Sequence, residues 1–170
     1  MFLTGQAIVA AVEKGELEIE PFNVDRVGPG SYDLAITNEF RFFRKAHKLL
    51  EVDENVDYKK ETMLVTVPEG GRFILMPGEC AHAITEERIC LPGNMCGWLQ
   101  GRSSYARLGL MVHITASFVQ PGVDNQQVLE MFNASPVPLA LKPGTPIAQI
   151  IFARCEGSSL YQGKFNQQQL

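Results

Sequence analysis

Proline and glycine recur along this chain at short intervals, and their spacing constrains the fold more than any other feature. Pro68–Glu69–Gly70–Gly71, Pro77–Gly78, Pro92–Gly93, Pro121–Gly122 and Lys142–Pro143–Gly144 punctuate the sequence from the middle to near its end. Between and before them lie short apolar or alternating runs. These are Tyr32–Ile36, Phe40–Phe43, Met63–Val67, Phe73–Met76, Ala81–Ile84, Met95–Leu99, Val128–Phe132 and Ile147–Phe152. Proline removes a backbone donor and glycine weakens any regular element, so no long helix survives such punctuation. Many short strands bounded by turn signals predict an all-β sandwich or barrel. One segment differs. Thr4–Gly15 reads as a short helix, with Thr4 to cap it, Ile8, Val9, Ala11 and Val12 on one face, and Gly15 to stop it.

The 170 residues suit one domain with one core, residues 1–170, and 45% of them are apolar. The net charge of −4 and pI of about 5.4 give no basic stripe for nucleic acid, so no nucleic-acid partner is expected. A small anionic ligand needs only local donors and is compatible with that charge. No run approaches the roughly 18 apolar residues of a membrane span, so no membrane association is expected. The N-terminal stretch lacks a basic region before its apolar residues, and the expected location is cytoplasmic. Cys80, Cys90, Cys96 and Cys155 form no CxxC pair and are expected as reduced, mostly buried thiols. Lys45–Lys60 reads as a polar surface excursion. Residues 160–170 are Gln-rich and read as a tail ordered only by contact with something else.

Gly101–Arg102–Ser103–Ser104 offers backbone N–H groups, two hydroxyls and a guanidinium, a set suited to phosphate oxygens but also to an ordinary surface turn. Its continuation is Tyr105–Ala106–Arg107–Leu108–Gly109–Leu110–Met111–Val112–His113–Ile114–Thr115–Ala116. The whole run closely resembles the signature of dCTP deaminases: GRSS, one residue, ARLGL, then a short strand ending in VHxTA. Fourteen residues after the Ala, that family carries its catalytic glutamate in a V-L-E strand, and Glu130 in Val128–Leu129–Glu130 holds that place here. Gly30–Ser31–Tyr32–Asp33–Leu34 with Asn38–Glu39–Phe40–Arg41 resembles the family's first strand pair. Pro138–Leu139–Ala140–Leu141–Lys142–Pro143–Gly144 resembles its penultimate hairpin, and Tyr161, Lys164 and Gln168 its C-terminal segment.

The resemblance implies a mostly β, dUTPase-like distorted jelly-roll or barrel with a short N-terminal helix. It implies a homotrimer with active sites at subunit interfaces. The implied reaction is deamination of dCTP to dUTP and ammonia. Water attacks cytosine C4, and one carboxylate, Glu130, serves in turn as base and acid. Ser103 and Arg107 would orient the base and the glutamate, and backbone groups around Thr115–Ala116 would hold the water. Arg102, Ser103 and Ser104 would bind the triphosphate, with His113, Thr115, Gln120, Tyr161, Lys164 and Gln168 as further substrate contacts. Residues 160–170 would act as a lid. dCTP and dUTP are the implied ligands, with dTTP a candidate inhibitor. Mg²⁺ would arrive on the triphosphate, with no metal ligand from a protein side chain. Zinc-dependent deaminases need HxE and PCxxC. None of His47, His82 and His113 is followed two residues later by Glu, and no PCxxC exists, so no zinc is expected.

Plainer roles stand beside these. Glu130 fits an outward position on a half-exposed strand, Arg107 a surface salt bridge, His113 a packed core histidine, and Trp98 the core. Lys164 and Gln168 fit a tail without a role. The chain also departs from the family at two places. Gln120 stands in Val119–Gln120–Pro121–Gly122, where the family usually carries Asp, and an amide cannot act as a base. Asp124 is the nearest carboxylate that could compensate. Phe118 stands where deaminases often carry Arg. A bifunctional deaminase–dUTPase releasing dUMP and pyrophosphate, a dUTPase, and a non-catalytic nucleotide-binding homologue are the alternatives.

Overall fold

The computed structural model describes residues 1–43, 49–113, 115–166 and 168–170. Ile114 of the signature, His47, and residues 45–48 of the expected polar excursion lie outside the described residues. The helix expected over Thr4–Gly15 is α1, Gly5–Glu13, which buries Ile8 and Ala11. Thr4 holds the capping position but makes no side-chain cap bond.

The strands are β1 (Glu18–Glu20), β2 (Tyr32–Phe43), β3 (Thr62–Thr66), β4 (Phe73–Leu75), β5 (Cys80–Cys90) and β6 (Met95–Gly101). They continue with β7 (Leu110–Val112), β8 (Phe118–Val119), β9 (Asp124–Asn133), β10 (Leu139–Leu141) and β11 (Pro146–Arg154). Among the described residues, two further α-helices are a single turn each, α2 (Tyr58–Glu61) and α3 (Ser103–Ala106), and Val24–Arg26 forms a 3-10 turn. Nine strands join one curled sheet in the order β7-β9-β5-β2-β11-β6-β8, with β1 on β5 and β3 on β2. β4 and β10 form a separate pair. All pairings are antiparallel.

Alternation explains which face each strand buries. On β9, Leu129 and Met131 are buried in the core while Val128 and Glu130 face the other way and are half-buried. Phe40 and Phe73 stack at 4.4 Å inside, with Ala81, Ala83, Leu99, Ile150 and Phe152 around them. Each fully buried aliphatic or aromatic side chain of this kind contributes roughly 1.5–3 kcal/mol.

One irregularity shapes the region of interest. The register of β5 with β9 shifts between Ile84 and Arg88. Thr85 fills the bulge: its hydroxyl accepts from Gln127 N (2.8 Å) and donates to the Glu87 carbonyl (2.7 Å). The fully buried Glu87 carboxylate pairs with Arg26 and accepts from Ala35 N at 3.0 Å. The bulge bends β5, so its first half faces β9 with His82 opposite Glu130 while its second half also takes up β1.

Trp98 is not a core residue. It lies on the outer face of β6, paired across the strand with Phe118 and flanked by Phe2, with ring centroids at 5.0 and 5.9 Å. Leu99, the next residue, takes the inward position instead. Of the four free cysteines only Cys96 is fully buried. Burial and its neighbour Cys155 push its thiol up to about 11.

Candidate active site

Glu130 stands in a cleft of about 440 Å³ walled by β5, β9, the segment around residues 113–123 and the C-terminal tail. Two sequence elements converge on the carboxylate. β9 presents the carboxylate on its outward face. β7 ends at Val112, and the chain then turns through His113, which has a positive φ of 52°. Left-handed backbone is uncommon for a residue with a side chain and marks a tightly specified position. The backbone N–H of His113 donates to the Glu130 carbonyl (2.7 Å), which ties the turn to β9.

The His113 ring is oriented from both sides. Nε2 lies 2.8 Å from the Ala116 carbonyl, which can only accept, so Nε2 carries a proton. Nδ1 then faces Glu130 Oε2 at 2.9 Å. The contact is side-on, and neither atom has an aligned hydrogen-bond partner. Burial raises the Glu130 carboxyl, but the contact and charge of His113, its own backbone N–H and the nearby His82 outweigh that, so it titrates below the usual carboxylate range. The carboxylate form is therefore favoured, with an imidazole beside it that can carry a proton.

The residues named from sequence separate into two groups. Glu130, His113, Ala116, Gln120, Tyr161 and Gln168 line the cleft. Thr115 is exposed next to it, and Lys164 sits exposed in the tail with its ammonium 5.8 Å from the Phe165 ring. Arg102, Ser103, Ser104 and Arg107 do not line the cleft of their own chain. Ser103 and Ser104 start α3, exposed, and Arg107 is exposed just after it. Arg102 spends its guanidinium locally: Nη2 is 2.9 Å from Asp33 and Nη1 donates to the Pro146 carbonyl at 2.7 Å. Asp124 pairs with Arg88 and does not line the cleft, so it supplies no substitute carboxylate there. Phe118 lines the cleft mouth, stacked edge-on against Trp98.

The tail finds its partner on the same chain. Tyr161 N donates to the Pro121 carbonyl (2.8 Å), and Gly122, with φ +78°, has no room for a Cβ beside Leu160 and Tyr161. Asn125 Nδ2 donates to the Phe165 carbonyl (2.8 Å), and Gln168 Nε2 donates to the Gln126 carbonyl (2.9 Å). The Tyr58 hydroxyl donates to the Gln169 carbonyl (3.1 Å). Residues 160–166 and 168–170 thus cross the cleft that contains Glu130.

The dCTP deaminase-like family profile matches residues 2–155, nearly the whole chain. This chain belongs to the dCTP deaminase-like family. A dCTP deaminase of Shewanella loihica is 41% identical over 163 residues, covering 91% of this chain and 84% of that one. A dCTP deaminase, dUMP-forming, of Corynebacterium diphtheriae is 39% identical over 150 residues, covering 88% and 80%. The fold matches the crystal structure of 2′-deoxycytidine 5′-triphosphate deaminase from Agrobacterium tumefaciens with a TM-score of 0.71 at 21% identity. That match covers 91% of this chain but 48% of the other, so the chain spans about half the Agrobacterium protein's length.

Within this dCTP deaminase-like chain, four polar cleft residues escaped the reading of the sequence: Tyr58, His82, Asn125 and Gln127. Asn125 and Gln127 are buried amides whose polar atoms lie 2.6 Å apart, at alternate positions of the polar first half of β9, where the sequence does not say which amides turn inward. His82 and Tyr58 carried no signal, because their approach to Glu130 depends on strand register and on the fold of a distant segment.

Proposed function

We propose that this chain deaminates dCTP to dUTP and ammonia, with Glu130 as the general base and then the general acid. The observation that carries this reading is the one carboxylate among the described cleft residues, 2.9 Å from a histidine whose other nitrogen is fixed by the Ala116 carbonyl. Glu130 accepts a proton from water as the water oxygen bonds to cytosine C4, and delivers that proton to N3. The second water proton passes to the 4-amino group. The C4–N4 bond then breaks as the C4 carbonyl forms, and ammonia leaves. His113 would keep the carboxylate oriented, and the Ala116 carbonyl it binds would accept from the attacking water.

Ser103 and Arg107 would reach the base and the glutamate from a neighbouring subunit, with Arg102 and Ser104 placing the triphosphate. Their absence from the cleft of their own chain supports sites shared between subunits of a homotrimer. Residues 160–170 would act as the lid, bringing Tyr161, Lys164 and Gln168 to the phosphates, and Gln120 would contact the sugar. Mg²⁺ would be held by phosphate oxygens and water. The donor set fits that: among the described residues the cleft wall offers one carboxylate, already facing His113, and otherwise amides, imidazoles and the phenols of Tyr58 and Tyr161. Mg²⁺ bound this way neutralises phosphate charge and asks no ligand of the chain.

A second reading follows from the dUMP-forming relative: hydrolysis of dUTP to dUMP and pyrophosphate at the same site. Gln120 lines the cleft and cannot take a proton from water, which favours dUTP as the released product. Incubation with dCTP and Mg²⁺, with ammonia, dUTP, dUMP and pyrophosphate followed together, tests both. The expected result is one ammonia per dUTP. Pyrophosphate matching ammonia would establish the second reading, and dCTP binding without either product would overturn both.

A further inference from the structure

Among the described residues, the buried side-chain nitrogen and oxygen atoms without a hydrogen-bond partner are Arg41 Nε, His82 Nδ1, His113 Nδ1 and Glu130 Oε2. They belong to one row across the sheet. Arg41 on β2 is paired with His82 on β5, and His82 with Glu130 on β9. His113 follows β7, the next strand, and contacts Glu130 from the far side. Residues directly opposite on antiparallel strands have Cβ atoms about 4.5–5.5 Å apart on one face. Their sequence neighbours Phe40, Ala81, Ala83, Leu129 and Met131 all turn into the core. Guanidinium, imidazole, carboxylate and imidazole therefore stand in order on the opposite face. Unpartnered buried polar atoms are few in folded chains, and their clustering at a site calls for an explanation in its chemistry.

His82 is the central member of this row that no role has yet absorbed. Only 8% of it is exposed, and it lines the cleft with Glu130. Its ring is clamped between Tyr58, edge-on at 5.2 Å, and Phe43 at 5.7 Å. Tyr58 is in turn tied to the tail. Arg41 makes long contacts among the described residues, 3.4 Å to the Lys59 carbonyl and 3.4 Å to the Thr62 hydroxyl, and its charge acts on His82.

We propose that His82 is a positioning residue for Glu130, the link through which Arg41 and the aromatic clamp fix the charge and orientation of the active carboxylate. This rests on the reading of Glu130 as general base. The described titratable and charged groups facing His82 are Glu130 on β9, Arg41 on β2, Tyr58 on α2 and Cys80 on its own strand, with His113 beyond Glu130. Burial holds the His82 imidazole below its usual range, Glu130 opposes that, and Arg41 adds to it. A neutral His82 leaves Glu130 free to act as a base. Protonation of His82 on acidification sets a cation beside the carboxylate and weakens it.

Two measurements test this. In the first, kcat and KM for dCTP are measured across pH in wild type, His82→Leu and His82→Gln. The Leu variant should lose roughly tenfold or more in kcat with KM within about twofold, and its acid limb should move; Gln should recover part of kcat but not the wild-type limb. The second needs no turnover. The His82 ring is titrated by side-chain NMR in wild type, Glu130→Gln and Arg41→Gln. Its midpoint should fall in the first variant, which removes a neighbouring anion, and rise in the second, which removes a cation. A wild-type kcat and pH profile in His82→Leu, or a midpoint that neither variant moves, overturns the proposal. Should His82→Leu fail to fold, the NMR titration decides alone. Wild type that releases no ammonia from dCTP overturns the functional reading instead, and the NMR result still decides whether His82 and Glu130 are coupled.

Discussion

A carboxylate that shuttles protons at neutral pH has to be ionised yet close to groups that tune it, and Glu130 meets both conditions through its neighbours. The resemblance to the dCTP deaminase signature made this position legible, through the fourteen-residue step from Ala116 to Glu130. His113 was legible as part of the same run, but its role was not. A packed histidine and a carboxylate's partner look alike until the ring is seen between Ala116 and Glu130. His82 was illegible, because nothing near it in the chain says which residue lies across the sheet. It also leaves a mark on stability. Its folded pKa lies below the usual imidazole value of 6.5, mainly through burial. The unfolded chain therefore takes up the proton more readily, and the stabilisation present above pH 6.5 is lost as the pH falls below it. Melting temperature should drop on acidification through that window, and the drop should be shallower in His82→Leu. Glu130, also depressed, has the same sign but acts lower, below the usual carboxylate value of 4.5.

At the scale of elements, the expected strands all exist, with differences that have physical causes. Tyr32–Ile36 and Phe40–Phe43 merge into one strand, because the register shift between Ile36 and Phe40 absorbs the polar residues that seemed to part them. β5 runs on to Cys90 past Ala81–Ile84, because the bulge at Thr85–Glu87 lets a charged stretch stay in the sheet. α2 and α3 are single turns, too short for a helical period to show. The bulge is the costly part of the design, since it buries Glu87 completely. Arg26→Met leaves that carboxylate buried and unpaired, and removing one partner of a buried pair typically costs about 3–5 kcal/mol. Chemical denaturation of this variant should show a clear loss of stability, with β5 and the cleft disturbed first.

For the whole molecule, the barrel-like β fold was legible from turn punctuation alone, while the assembly of the site was not. The tail read as ordered by contact with something else, and that partner is the cleft of its own chain. The resemblance put the GRSS side chains in a site shared between subunits, and in the chain they stand outside the cleft that holds Glu130, an arrangement compatible with that expectation. Light scattering should give a particle of three times the 18.8 kDa chain mass. Glu130→Gln and Ser103→Ala should each be inactive alone. Mixed trimers should recover activity, because some interfaces then combine an intact Glu130 from one subunit with an intact Ser103 from its neighbour. Recovery fails if each site is built from one chain.

The central claim is that Glu130 performs the deamination, and ammonia release from dCTP by Glu130→Gln, measured beside its dCTP affinity by calorimetry, tests it most directly. The amide keeps the shape of the carboxylate but cannot accept the proton. Ammonia release should fall by at least about a thousandfold while dCTP binds within a few-fold of wild type. A Glu130→Gln variant that releases ammonia at the wild-type rate would contradict the account.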